Sequence, residues 1–216
     1  MMEIEKPKIL LEEQENGARA IITVEPLEKG FGITIGNMLR RTLLSSLPGA
    51  AIVGIKIKNV LHEFSTIKGV AEDVPDIILN IKNLAVRSST TDRDFRAVMN
   101  LRKTGPCEVY ARDIDCGDMV TILNPDLYIC KLEAGAELDM QLFVGRGRGY
   151  VTAENNKDFS DEVDFIAIDS LFTPVKKVSF EVQSSRVGRS LDYDKLVLDV
   201  QTRGTVSAKE VVALSA

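Results

Sequence analysis

Residues 18–25 (ARAIITVE) alternate small or apolar side chains with others, the period-2 signature of a strand, and the turn chemistry of residues 26–30 (PLEKG) predicts its end. From Gly32 the spacing changes. Ile35, Met38, Leu39, Thr42, Leu43 and Ser46 recur on one side of a helical projection, and Pro48 followed by Gly49 predicts a sharp stop. A second strand is predicted over residues 51–58 (AIVGIKIK), where Ile52 and Val53 are adjacent before alternation resumes at Ile55 and Ile57.

The middle of the chain reads as short strands divided by turns. Ile77, Ile78 and Ile81 predict a short helix within residues 74–84, starting at Pro75. Strand patterns follow at 95–102, 107–111, 120–123, 128–132 and 137–144, and residues 153–164 (AENNKDFSDEVD) read as a polar, acidic loop. After Pro174 strands return at 178–182, with Val178, Phe180 and Val182 on one face, and at 195–201. Ser207 and Glu210 form a capping-box pattern that predicts a last helix, which reaches Ala216 after fewer than two turns. So short a helix is marginal by itself, so the expectation is a fragment of a longer chain. No repeat of 20–50 residues is visible.

Composition narrows the class. With 216 residues the chain fits one large or two small domains, and 44% hydrophobic with 27% charged residues is an ordinary globular balance. One His and three scattered Cys exclude a disulfide framework and leave no four-ligand zinc set, so no metal and no cofactor are expected. The N-terminus carries charges every few residues and no apolar segment long enough for a signal or a membrane span, which points to the cytoplasm. A net charge of −5 argues against a chain that coats nucleic acid.

Few residues offer chemistry of their own. Gly30, Gly32 and Gly36 follow a strand and open a helix, but the spacing is one residue longer than a dinucleotide fingerprint, and no acidic residue follows at the required distance. A tight turn into the helix is the simpler reading, with a nucleotide-binding protein as the enzyme alternative. His62 beside Glu63 lacks a nucleophile or orienting partner and reads as structural. Residues 145–150 (GRGRGY) resemble an RNA-binding stretch, yet only Tyr150 interleaves with the arginines, so a loop for inter-subunit contact is expected. Asp158, Asp161, Glu162 and Asp164 lack calcium-loop spacing.

The helix is more informative on its other side. Opposite the apolar stripe project Asn37, Arg40, Arg41 and Leu44, and a Leu beside two Arg is what an interface offers. This segment, GFGITIGNMLRRTLLSSLPGAAI, resembles the signature helix of the bacterial RNA polymerase alpha subunit family, in its N-terminal domain. The resemblance continues through residues 60–86 (VLHEFSTIKGVAEDVPDIILNIKNLAV), 145–154, 169–182 (DSLFTPVKKVSFEV) and 186–212 (RVGRSLDYDKLVLDVQTRGTVSAKEVV). It departs at the end, where the family has a longer second dimerisation helix, a linker and a DNA-binding domain.

The resemblance implies an α+β fold in two subdomains. Residues 1–50 and 172–216 would form a dimerisation subdomain, and residues 51–171 an inserted, strand-rich one. It further implies a homodimer that serves as assembly platform for the beta and beta-prime subunits of DNA-directed RNA polymerase. The chain would be a non-catalytic subunit of a nucleotidyltransferase complex, with little direct contact to nucleic acid. By motif position, Arg40, Arg41, Leu44, Asp76 and Lys82 match the beta contact; Ile168, Val175 and Lys195 match the beta-prime contact. Ile35, Met38, Leu39, Leu43 and Leu47 would be shared between the chain's core and the dimer interface.

Overall fold

The computed structural model describes residues 6–162, 164–187 and 190–216; Gly188 and Arg189 of the RVGRSLDYDKL motif lie outside the described residues. The elements run β1 (Lys8–Gln14), β2 (Arg19–Glu28), α1 (Phe31–Ser45), β3 (Pro48–Ile57), α2 (Val74–Ile81), β4 (Val86–Ser88), β5 (Arg96–Thr104), β6 (Cys107–Tyr110) and β7 (Val120–Ile122). They continue as β8 (Tyr128–Leu132), β9 (Glu137–Arg148), β10 (Tyr150–Val151), α3 (Ala153–Asn156), β11 (Ile166–Ala167), β12 (Ser170–Leu171), β13 (Val175–Val187), β14 (Ser190–Thr202) and α4 (Ala208–Ser215). Helices with antiparallel sheets make this an α+β protein, and it divides into two compact units, Met1–Leu47 with Thr173–Ala216, and Pro48–Phe172.

The first unit is a four-stranded antiparallel sheet in the order β1-β2-β14-β13, with α1 and α4 packed against it. Its core follows from two periodicities. Ala20 and Ile22 on β2 and Leu196, Leu198 and Val200 on β14 alternate inward, while Leu39 and Leu43 on α1, with Leu47 just after it, meet Val175 and Val178. Leu43 is 0% exposed, so its truncation to Ala would cost about 2–5 kcal/mol. Two helical glycines allow the close approach of α1 to β13. A Cβ on Gly36 would stand 2.5 Å from the Phe180 ring, and one on Gly32 would stand 2.7 Å from Val182. α4 begins as its sequence predicts, with Ser207 Oγ accepting from the Glu210 N–H at 3.2 Å.

The second unit centres on a four-stranded antiparallel sheet, β11-β3-β9-β5, with three two-stranded ribbons and α2 around it. One face packs Ile55, Ile57, Met99, Leu101, Met140 and Leu142 against α2, whose Val74, Ile77, Ile78 and Ile81 all point inward. The other face buries Ala51, Val53, Phe143 and Phe172. A register shift between Ile52 and Gly54 lets Ile52 and Ile55, three apart, share the α2-facing side, with Val53 on the other face, before alternation resumes. Beneath the sheet, Asn156 Nδ2 donates to Ile168 O at 2.7 Å and Ser170 Oγ at 2.9 Å, and Ser170 Oγ donates to Ile52 O at 2.7 Å.

Several elements differ from the sequence reading. β1 has no counterpart in it, because all seven of its residues are exposed and no alternation marks a buried face. β2 runs through Pro26 to Glu28. Pro26 lies beyond the end of the β1 pairing and at the register shift between Asp194 and Leu196, where no ladder N–H is needed from it. Residues 153–164 are not simply a loop: they hold α3 and a turn of 3-10 helix. The GRGR stretch is not a loop either. It is the end of β9, paired with residues 48–51, and its alternation places Gly147 where a Cβ would sit 2.8 Å from the Phe172 ring.

Candidate functional site

The glycine turn before α1 is the place where a bound nucleotide would be sought, and two of its backbone donors are already used. Gly30 lies at φ 91°, a left-handed conformation that costs a side chain-bearing residue energy. Its N–H and that of Gly32 both point at Asp194 on β14, whose Oδ2 accepts from them at 2.8 and 3.2 Å. The positive end of the helix dipole is therefore met by a carboxylate of the chain itself. A phosphate would have to displace that carboxylate.

What α1 does offer is its outer surface. At about 100° per residue, Ile33, Arg40 and Leu44 fall within roughly 40° of one another, and Phe31 and Met38 fall within roughly 20°. The first strip is flanked by Asn37, and Arg41 stands between the two strips. Phe31, Ile33 and Met38 are all more than half exposed, and Leu44 is 37% exposed. Among the described residues, the guanidinium groups of Arg40 and Arg41 make no ion pair. A single helix thus carries two apolar strips separated by unpaired arginine. Isolated exposed apolar side chains need no explanation, but strips of them rimmed by Arg have the make-up of an interface.

The five residues expected to serve both core and dimer interface divide sharply. Leu39, Leu43 and Leu47 are buried within the chain's own core and have no surface left to offer. Ile35 is half-buried, and Met38 is 55% exposed. The reason is angular. The buried line of α1 runs through Gly32, Gly36, Leu39 and Leu43, so Met38 is turned away from it. The sequence pattern does not single out Phe31 and Ile33, because they precede the apparent stripe; their sequence signal is only that two large apolar residues interleave with glycines.

The remaining motif-matched residues are less uniform. Asp76 is exposed in the first turn of α2, where a carboxylate favours the helix dipole. Lys82 is partly committed within the chain: its Nζ donates to Asp169 Oδ2 at 3.0 Å. Asp169 also accepts from the Ala153 N–H at 2.9 Å, and that bond, then Lys82, holds its pKa below the ordinary carboxylate value. Ile168 and Val175 are 3% and 2% exposed, so neither side chain presents a contact surface. Lys195 lies 3.6 Å from Glu25. Surface is thus available at Arg40, Arg41, Leu44 and Asp76, and withdrawn at Ile168 and Val175.

The other candidates for chemistry are engaged or isolated. His62 Nδ1 lies 3.1 Å from Ser65 Oγ on an exposed loop beside Leu61 and Phe64. Arg146 donates to Ser88 Oγ at 3.2 Å and to the Thr90 carbonyl, so it is not free to read a base. Burial pushes the Cys130 thiol up to about 12, which makes it a packing residue. Among the described residues, no three His, Cys, Asp or Glu side chains gather as a metal set, and no helix is long and apolar enough to cross a membrane.

Comparison with known proteins gives a consistent result. The family model of the RNA polymerase Rpb3/RpoA insert domain matches residues 55–173. The DNA-directed RNA polymerase subunit alpha of Carboxydothermus hydrogenoformans is 50% identical over 216 residues, covering 100% of this chain and 68% of the relative. The subunit alpha of Clostridium botulinum strain Hall is 49% identical over 217 residues, again covering 100% of this chain and 68% of the relative.

Proposed function

The chain belongs to the alpha-subunit family of DNA-directed RNA polymerase, and from that premise we propose that it is the enzyme's assembly platform, pairing with a second copy of itself and holding the beta and beta-prime subunits. The observation that carries this reading is the outer surface of α1. Two apolar strips with unpaired Arg40 and Arg41 suit two different protein contacts made by one helix. The Phe31–Met38 strip fits the second copy, because a two-fold contact is self-complementary and a purely apolar strip can face itself without charge repulsion. The Ile33–Leu44 strip with Arg40 and Arg41 fits the beta subunit. In the other unit, Asp76 and the part of Lys82 that Asp169 leaves free are assigned to beta by motif position alone.

In this reading the chain supplies no reacting group. Its single His lacks an acid partner, and its glycine turn is closed by Asp194, so nucleotidyl transfer belongs to other subunits. Beta-prime is held by the exposed neighbours of Val175 and by Lys195, since Val175 itself is buried. The test is reconstitution. Purified chain mixed with purified beta and then beta-prime should yield a complex with two copies of this chain, and the chain alone should neither transfer nucleotides nor retain ATP. Micromolar ATP binding by the isolated chain would contradict the reading.

A further inference from the structure

At the start of β13 the ladder with β14 breaks step. Val175 lies opposite Thr202 and Lys177 opposite Gln201, which leaves Lys176 as the extra residue of a bulge. The bulge sits on an edge strand of its sheet, where such features end pairing and re-aim side chains. Its effect shows in burial: Val175 and Val178, three apart, are both buried, while Lys176 and Lys177 are both exposed.

The facing end of β14 leads to Arg203, whose backbone N–H donates to Pro174 O at 2.9 Å. The Arg203 side chain is half-buried, and burial alone pulls its pKa below the ordinary arginine value. Among the described residues its guanidinium has no carboxylate partner. Asp199, on the same strand, is held by Arg19 through two hydrogen bonds of 3.0 and 2.8 Å, and Glu15 accepts from Gln201 at 3.4 Å. A guanidinium stays charged at any physiological pH, so this one is partly stripped of water without a counter-charge. An incoming carboxylate would recover that cost through two parallel charged hydrogen bonds. In a chain of net charge −5, such a cationic end also selects acidic partners by steering.

We propose that Arg203, with Lys176 on the facing bulge, anchors a carboxylate of the large polymerase subunit that docks at this end of the sheet. The proposal rests on the assembly reading, which assigns this end to beta-prime, and supplies what that reading lacks: exposed chemistry beside the buried Val175. A protein carboxylate is favoured over a nucleic-acid phosphate because the chain as a whole is acidic and would repel a duplex.

The experiment titrates the intact homodimer with purified beta, and the preformed complex of dimer and beta with purified beta-prime, at low and raised salt. R203Q should weaken beta-prime capture on the order of tenfold or more and flatten its salt dependence, with beta capture unchanged. R203K should recover part of the loss, and K176Q should lower capture by a smaller factor. R203Q should melt no lower than wild type, since it removes a desolvated charge. Wild-type beta-prime affinity in R203Q would overturn the proposal. So would a drop in its melting temperature with capture intact, or loss of duplex-DNA retention in place of beta-prime capture. If the unmutated dimer captures neither large subunit, the assembly reading falls as well; if it captures both and R203Q is silent, only this proposal falls.

Discussion

The Oδ2 atom of Asp194 accepts a hydrogen bond from the backbone N–H of Gly30 at 2.8 Å, across 164 positions of sequence. The same oxygen accepts from Gly32 at 3.2 Å, so one side chain of β14 closes the N-terminal end of α1. The helix that carries the proposed interfaces is thereby fixed to the sheet at its start. Removing the carboxylate should cost about 1 kcal/mol, the usual worth of a helix cap. Urea unfolding of Asp194→Ala should show a lower midpoint than wild type, and ATP should still fail to bind. An unchanged midpoint would mean that water replaces the cap without loss.

Gly36→Ala separates helix propensity from packing. Alanine favours a helix over glycine by up to about 1 kcal/mol, but here the new methyl would stand 2.5 Å from the Phe180 ring. Overpacking of this kind typically costs about 1–3 kcal/mol. The variant should therefore melt below wild type despite its better helix former. A higher melting temperature would show that Phe180 yields freely.

Acid should weaken the first unit through Asp199. Its pKa is lowered by the hydrogen bonds from Arg19 and by that cation's charge. A carboxylate with a depressed folded-state pKa stabilises fully above its unfolded value of about 3.9, and that contribution fades as pH falls through the folded value. Both groups are about one-third exposed, so solvent screens the pair and the effect is modest. Unfolding measured at pH 7 and at pH 3 should show a larger acid loss in wild type than in Asp199→Asn. Equal losses would remove the pair from the acid response.

Of the three thiols, Cys130 should label last. Cys130 is buried with its pKa pushed up to about 12, and burial also raises that of the half-buried Cys116. Since the thiolate is the nucleophile, alkylation of the native protein near neutral pH should leave Cys130 modified slowest, by roughly tenfold or more. Peptide mapping of a time course reads this directly. Early modification of Cys130 would mean that the β6–β8 ribbon opens readily.

Much of the fold was legible because each segment obeys one period. The Val178–Phe180–Val182 face of β13, the inward set of α2, the stop at Pro48 and the cap at Ser207 all follow from residues within a few positions of one another. What was not legible depends on distant partners. β1 has no buried face to pattern it, and the GRGR alternation looks like a loop until Phe172 occupies the space above Gly147. The candidate surface was half visible: Arg40, Arg41 and Leu44 were evident from helical spacing. Met38 joined the core stripe by spacing but faces solvent, because the sheet meets α1 along its glycines rather than along its largest side chains. Ile168 and Val175 carried a family role by motif yet are spent on the interior.

In the proposed assembly the Ile33–Leu44 strip of α1, with Arg40 and Arg41, binds the beta subunit, while self-pairing rests on the Phe31–Met38 strip and the fold on the buried side of the helix. The most direct measurement is the affinity of the intact homodimer for purified beta, compared between wild type, Arg41→Ala and Leu44→Ala, with sedimentation as the control for the dimer. Loss of an anchor at an interface commonly costs about 2 kcal/mol or more, so each variant should bind beta more weakly by roughly thirtyfold or more, with dimer and melting temperature unchanged. Wild-type affinity for beta in both variants would contradict this assignment.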